Sequence, residues 1–264
     1  MAAIWTYSDS GIFYWTANFT GTAKIECWGG GGGGGGQNFS SDGGGGGGGG
    51  AYVIKNEYTV INGNSYRVVV GSGGSGGTGG SGTAGGDSYF VSAATVMAKG
   101  GQPGINSTGT PPSGGVGGLA TSSIGDTKYN GGQGEKGSNS TIGQGGYGGS
   151  SAGKSSNGLS GPQTFSNILY PTESTPAAAG DGGNGGDAGL NGSTPSSGPG
   201  GGGGGSGDGT NKTGGNGWSG QVVITAISAY GYSEYIFSFN PSTLATIDTV
   251  PLSEVYSVIG AYTP

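Results

Sequence analysis

Residues 27–50 read Cys-Trp, eight consecutive glycines, Gln-Asn-Phe-Ser-Ser-Asp, and eight glycines more. A third unbroken run fills residues 200–205, and glycine supplies 72 of the 264 residues. An ordered glycine gives up ~0.5–1 kcal/mol more backbone freedom than alanine. Such runs are therefore either unstructured or build something that a side chain would prevent. Disordered chains are usually rich in charge, whereas only 8% of this one is charged, and the glycines stand between segments that read as strands. A folded reading follows. Collagen is excluded, because it needs glycine at every third position with proline-rich residues between. What remains is the glycine counterpart of polyproline II, an extended helix of three residues per turn. Bare backbones of this kind pack side by side, each N–H and C=O bonding to a neighbour, with weak Cα–H···O contacts in addition. At a net ~0.5–1.5 kcal/mol per hydrogen bond, such a lattice offsets the glycine cost. The expected fold is mostly β and irregular: short β-strands framing a sandwich of packed polyglycine II helices, plus a small C-terminal β segment.

Outward from the runs, β-branched and aromatic residues predict strands over 4–7, 11–16 and 22–28. Residues 51–61 and 65–70 flank Asn62-Gly63, the dipeptide of a tight hairpin. Short strands are expected over 87–94 and 96–98, and again over 218–227, where the chain returns to pair near its N-terminal strands. Residues 232–240, 245–250 and 254–262 are β-like and almost free of glycine. That shift predicts a glycine-rich domain over 1–227 and a segment over 228–264 that serves attachment or assembly.

The order strand, Cys-Trp, glycine run, Gly-Gly-Ala-Tyr-Val, Val-Val-Val-Gly, Gly-Gly-Asp-Ser-Tyr-Phe and finally Gly-Asn-Gly-Trp-Ser-Gly-Gln-Val-Val-Ile resembles the glycine-rich domains of bacteriophage tail-fibre and tail-tip adhesin proteins. The resemblance covers roughly residues 12–226, and similar domains occur in cell-surface receptors. It implies stacked polyglycine helices with variable loops at one end that contact the host surface.

The formal charge of −6 with eight Lys and Arg argues against nucleic acid and anionic membranes as partners. No apolar run approaches the ~18 residues of a membrane span. The opening residues lack a basic start and an apolar stretch, so we expect no signal peptide and assembly in the host cytoplasm. Cys27 alternates with Lys24, Ile25 and Glu26 and reads as a buried strand residue; alone, it forms no intrachain disulfide. Histidine is absent, which removes Ser-His and Cys-His pairs and the commonest metal ligand. The 14 carboxylates are scattered, without a pair suited to glycoside hydrolysis. No enzyme and no cofactor is expected.

Three literal motifs give way to plainer readings. Residues 148–155, Gly-Gly-Ser-Ser-Ala-Gly-Lys-Ser, match a phosphate loop but lack the strand before and the helix after that aim N–H groups at phosphate. Residues 182–190 nearly match a calcium-binding nonapeptide, but as a single copy, with Asp181 and Asp187 as the candidate ligands. Asn-x-Ser/Thr sequons at Asn18, Asn38, Asn106, Asn139, Asn191 and Asn211 follow from a composition rich in Asn, Ser and Thr.

Recognition would lie in the inserts 103–113, 119–130 and 154–179. The longest carries Phe-Ser-Asn-Ile-Leu-Tyr at 165–170. Aromatic rings with amides and hydroxyls suit sugars or protein loops. Tyr129, Phe165, Asn167, Leu169 and Tyr170 are the candidate receptor-binding residues; the alternative is that Phe165, Ile168 and Leu169 cap the end of the glycine block. The expected function is a virion surface protein, a tail-fibre or tail-tip adhesin binding a host glycan or outer-membrane protein. Residues 228–264 would then join other virion proteins. The alternatives are a purely structural capsid-decorating or filament-forming protein and, ranked last, an ice- or mineral-facing one.

Overall fold

In the structure, a computed structural model, the described residues are 3–38, 42–106, 112–138, 143–161, 181–182, 186 and 189–229. The chain divides into two compact units, Met1–Tyr230 and Gly231–Pro264. The second unit, with the strands expected over 232–262, lies outside the described residues.

Nine strands are present among them: β1 (Ile4–Tyr7), β2 (Gly11–Thr16), β3 (Gly21–Trp28), β4 (Tyr52–Val60), β5 (Ser65–Val70), β6 (Ser88–Phe90), β7 (Val96–Ala98), β8 (Thr127–Tyr129) and β9 (Gln221–Ala229). They form two antiparallel sheets, ordered β1-β9-β3-β4-β8 and β2-β5-β6-β7. Alternation along the strands turns one face of each sheet inward. Ala23, Ile25, Cys27, Val53, Val222 and Ile224 of the first sheet share a core with Trp15, Val68, Val70, Phe90, Val96 and Ala98 of the second. Cys27 is fully buried there, and burial pushes its thiol pKa far up, so it is an inert core residue.

Three strand expectations are corrected. Residues flanking Asn62-Gly63 do not pair with each other: β4 bonds to β3 and β8, whereas β5 bonds to β2 and β6. The reason lies in the neighbouring corner. Gly63 N–H donates to Ala17 O (2.8 Å) and Asn62 N–H to Thr20 Oγ1 (3.0 Å), so the turn is tied to the 17–20 corner and carries the chain across the sandwich. The strand expected over 87–94 ends at Phe90, because Val91 takes a positive φ of 65° and turns the chain toward β7. Finally, β9 starts at Gln221; Trp218 and Gly220 still bond to glycine segments.

The glycine runs bond by threes. Within residues 29–37, N–H groups 29, 32 and 35 donate to carbonyls 51, 48 and 45; 30, 33 and 36 donate to 86, 83 and 80; 31, 34 and 37 donate to 218, 215 and 212. The three partners run antiparallel. Carbonyls 30 and 33 accept from N–H 101 and 104, carbonyls 31 and 34 from 74 and 77, and carbonyls 32 and 35 from 203 and 206, all parallel partners. Every one of these bonds is 2.7–3.0 Å long. A direction that repeats at each third residue is what an extended helix of three residues per turn requires. Residues 43–50 behave alike, with partners in 132–138, 200–206, 102–105, 146–152, 115–118 and 32–35. The runs 29–36, 43–50 and 200–205 are mutually bonded and wholly buried, and form the centre of the block.

Candidate functional site

The block has two unlike ends. At the near end, residue 28 enters from β3 and residue 51 leaves into β4. At the far end the described stretches that end at 38, 106 and 138 and those that begin at 42, 112 and 143 meet residues 78–80 and 206–212, as the mutual bonds there show: Gly36 N–H to Gly80 O, Gln37 N–H to Lys212 O, Gly43 N–H to Ser138 O, Gly44 N–H to Ser206 O and Gly45 N–H to Ile105 O.

Asparagine and aspartate side chains knit this far end. Asn38 Nδ2 (3.1 Å) and Asn106 Nδ2 (2.8 Å) both donate to Gly79 O. Asn211 N–H donates to Asn38 Oδ1 at 3.2 Å, and Thr213 N–H to Asn191 Oδ1 at 3.0 Å. Asp208 Oδ1 accepts from Gly189 N–H at 2.8 Å. Asn and Asp close turns because their short side chains reach backbone groups that the lattice leaves unpaired. Four sequon asparagines, Asn38, Asn106, Asn191 and Asn211, are thus turn residues at one end. Around them Thr78, Leu190, Thr210 and Asn211 are exposed. Chemically, this end displays amides, hydroxyls and scattered apolar groups.

The near end is sealed by a second cluster. Trp28 and Tyr52 are buried together with Ala152, ring centroids 4.7 Å apart, and Trp28 Nε1–H donates to Ala152 O at 3.1 Å. Behind them Glu26 is buried, its carboxylate met by Tyr52 Oη (2.8 Å), Lys24 Nζ (3.1 Å) and Lys154 Nζ (3.0 Å). Burial pushes the Glu26 pKa up, and the hydrogen bonds from Lys154, Tyr52 and Lys24 outweigh it, leaving the group below its usual range. Lys154 also stands over the Trp28 ring at 5.4 Å. The lysine of the phosphate-loop-like stretch is therefore a clasp between the glycine block and β3.

Of the candidate receptor residues, Tyr129 lies in β8 opposite Tyr52 and stacks on it, centroids 6.3 Å apart, at the near end. Phe165, Asn167, Leu169 and Tyr170 lie outside the described residues. So does Asp187; Asp181 is buried and accepts from Ser197 N–H at 2.9 Å and from the Ser196 hydroxyl. Among the described residues no group of three or more His, Cys, Asp or Glu could hold a metal ion, and no helix is long and apolar enough to cross a membrane.

Two features escaped the sequence reading. Insert 119–130 supplies β8 and a 3-10 turn at Ala120–Ser122, short elements whose pairing depends on a distant strand. A period of three in the outer segments was also legible and missed: Ser72, Ser75 and Thr78, like Ser113, Val116 and Leu119, are the exposed positions of their segments, with glycine wherever the chain faces the block, apart from buried Pro112.

Compared with known proteins, residues 8–227 match a family model described as a glycine-rich domain. No curated protein matches the chain.

Proposed function

The chain belongs to the glycine-rich domain family, and from that premise we propose that it is a virion surface protein, a tail-fibre or tail-tip adhesin whose far end binds a host glycan or outer-membrane protein. The observation that carries this reading is the division of labour between the ends. A conventional apolar core occupies the near end, while the turns and their amide side chains gather at the other, across a block held by backbone bonds. Exposed positions such as Leu190 and Thr210, whose side chains stand clear of that end, are free to vary in sequence, as a receptor-following surface must. Phe165, Asn167, Leu169 and Tyr170 are proposed as receptor-binding residues on their aromatic and amide character alone, and Tyr129, which stacks on Tyr52 at the near end, is left out. Residues 228–264 are proposed to join other virion proteins.

The test is competition. Purified protein should block adsorption of the particle that carries it to its host cells. Leu190→Arg with Thr210→Arg, or Phe165→Ala with Tyr170→Ala, should abolish blocking without moving the melting temperature, since interface aromatics typically cost ~2 kcal/mol or more of affinity. Ile61→Arg, exposed near the sheets, should change neither. A folded protein that never blocks adsorption overturns the adhesin reading and favours a purely structural role.

A further inference from the structure

We propose that the free edge of β2 joins two copies of this chain, β2 pairing antiparallel with β2 about a two-fold axis through Tyr14. Among the described residues the sheet orders leave β1, β8, β2 and β7 as edges. Natural edges are blunted by shortness, charge or cover, which prevents unplanned pairing. Three of these edges are blunted. β8 has three residues with Lys128 at its centre. β7 has three and is covered by the Met97↔Ile124 bridge. β1 has four. β2 has six, Gly-Ile-Phe-Tyr-Trp-Thr, without charge, proline or any shift of register against β5.

The backbone of β2 is arranged for a second partner. Ala17 N–H donates to Asn64 O at 3.0 Å, and Val91 N–H to Arg67 O at 2.7 Å. Antiparallel ladders alternate bonded and non-bonded pairs. Gly11, Phe13 and Trp15 therefore bond inward to β5, and Ile12, Tyr14 and Thr16 turn their N–H and C=O groups to the open edge. The same three carry exposed side chains, Ile12 at 56% and Tyr14 at 69%, while Trp15 is core at 3%.

Self-pairing is chosen over a foreign strand on geometry and charge. Centred on Tyr14, the pairing sets Tyr14 opposite Tyr14 and Ile12 opposite Thr16. Every outward-bonding residue then faces another, Phe13 faces Trp15 on the core side, and two four-stranded sheets become one. A molecule of formal charge −6 repels its own copies, and this edge brings no charge of β2 against itself. Arg67, opposite Tyr14 on β5, is engaged over the Tyr89 ring at 5.4 Å. An isologous contact of this kind closes after two copies.

Sedimentation of the full chain over a range of concentrations should give twice the monomer mass, returning to the monomer mass in Tyr14→Lys with an unchanged melting temperature. Tyr14→Cys should cross-link on mild oxidation, because Cα atoms of a hydrogen-bonded antiparallel pair stand ~5.5 Å apart, within disulfide range. Ile12→Cys should not, its copies lying four residues apart along the strand, ~13 Å. Monomers at every concentration overturn the proposal in favour of a strand from another protein. A dimer that Tyr14→Lys leaves intact, or that links through Ile12→Cys and not Tyr14→Cys, overturns it as well.

Discussion

At the scale of the residue, the hydrogen atom that glycine carries in place of a Cβ is the determinant of the block. A Cβ on Gly32 would stand 2.1 Å from Gln102 O, and one on Gly46 2.0 Å from Tyr147 O, backbone atoms that cannot swing aside. Gly32→Val and Gly46→Val should each separate neighbouring segments and break bonds on both sides, a loss on the order of 4 kcal/mol or more. Gly80 differs: a Cβ there meets nothing nearer than Thr78 O at 3.9 Å. Gly80→Ala should therefore melt within a few degrees of the parent. Calorimetry of the three variants decides the matter, and equal melting of all three would remove the packed-lattice account.

At the scale of the element, the segments interlock wherever a side chain is tolerated, and Glu135 marks the limit of tolerance. It sits in segment 131–138 against 144–150 and 158–161, only 6% exposed, and accepts Tyr147 N–H on Oε2 at 3.2 Å. Burial pushes its pKa up from 4.5 to about 7, against the smaller opposing effect of that hydrogen bond. A carboxyl whose folded pKa is raised binds its proton more tightly when folded, so its stabilisation is full below pH 4.5 and is lost as pH rises through about 7. Denaturant titrations of the parent should show stability falling across that window by roughly 1–3 kcal/mol. In Glu135→Gln, which keeps the shape and cannot ionise, the fall should vanish. A parent profile identical to that of the variant would show that Glu135 ionises in the folded state without penalty.

At the scale of the whole molecule, the first unit closes on itself. β9 ends at Ala229 after pairing with β1 on one side and β3 on the other, so the N-terminal and C-terminal ends of the unit share one sheet. Deleting residues 231–264 removes no described strand and should leave a unit with its melting transition and its strand signature by circular dichroism. On the functional reading above, the truncated protein should also fail to join its particle. Outright unfolding would place the segment in the same core.

The sequence by itself determined that the glycine runs form a backbone-bonded lattice, because unbroken glycine allows close approach and little else. It also determined most strands, because aromatic and β-branched alternation over 4–7, 11–16, 22–28 and 65–70 has one physical reading. Tertiary structure alone decided who lies beside whom. A glycine segment offers every neighbour the same bare backbone, so no side-chain pattern encodes that 29–36 bonds to 215–218 rather than to another run. β4 and β5 show the same point from the other side: each reads as a strand, but a corner at 17–20 sends them to different sheets. Lys154 reaches Glu26 for the same reason, placed there by the stacking of segments far apart in the chain and by nothing in its own surroundings along it.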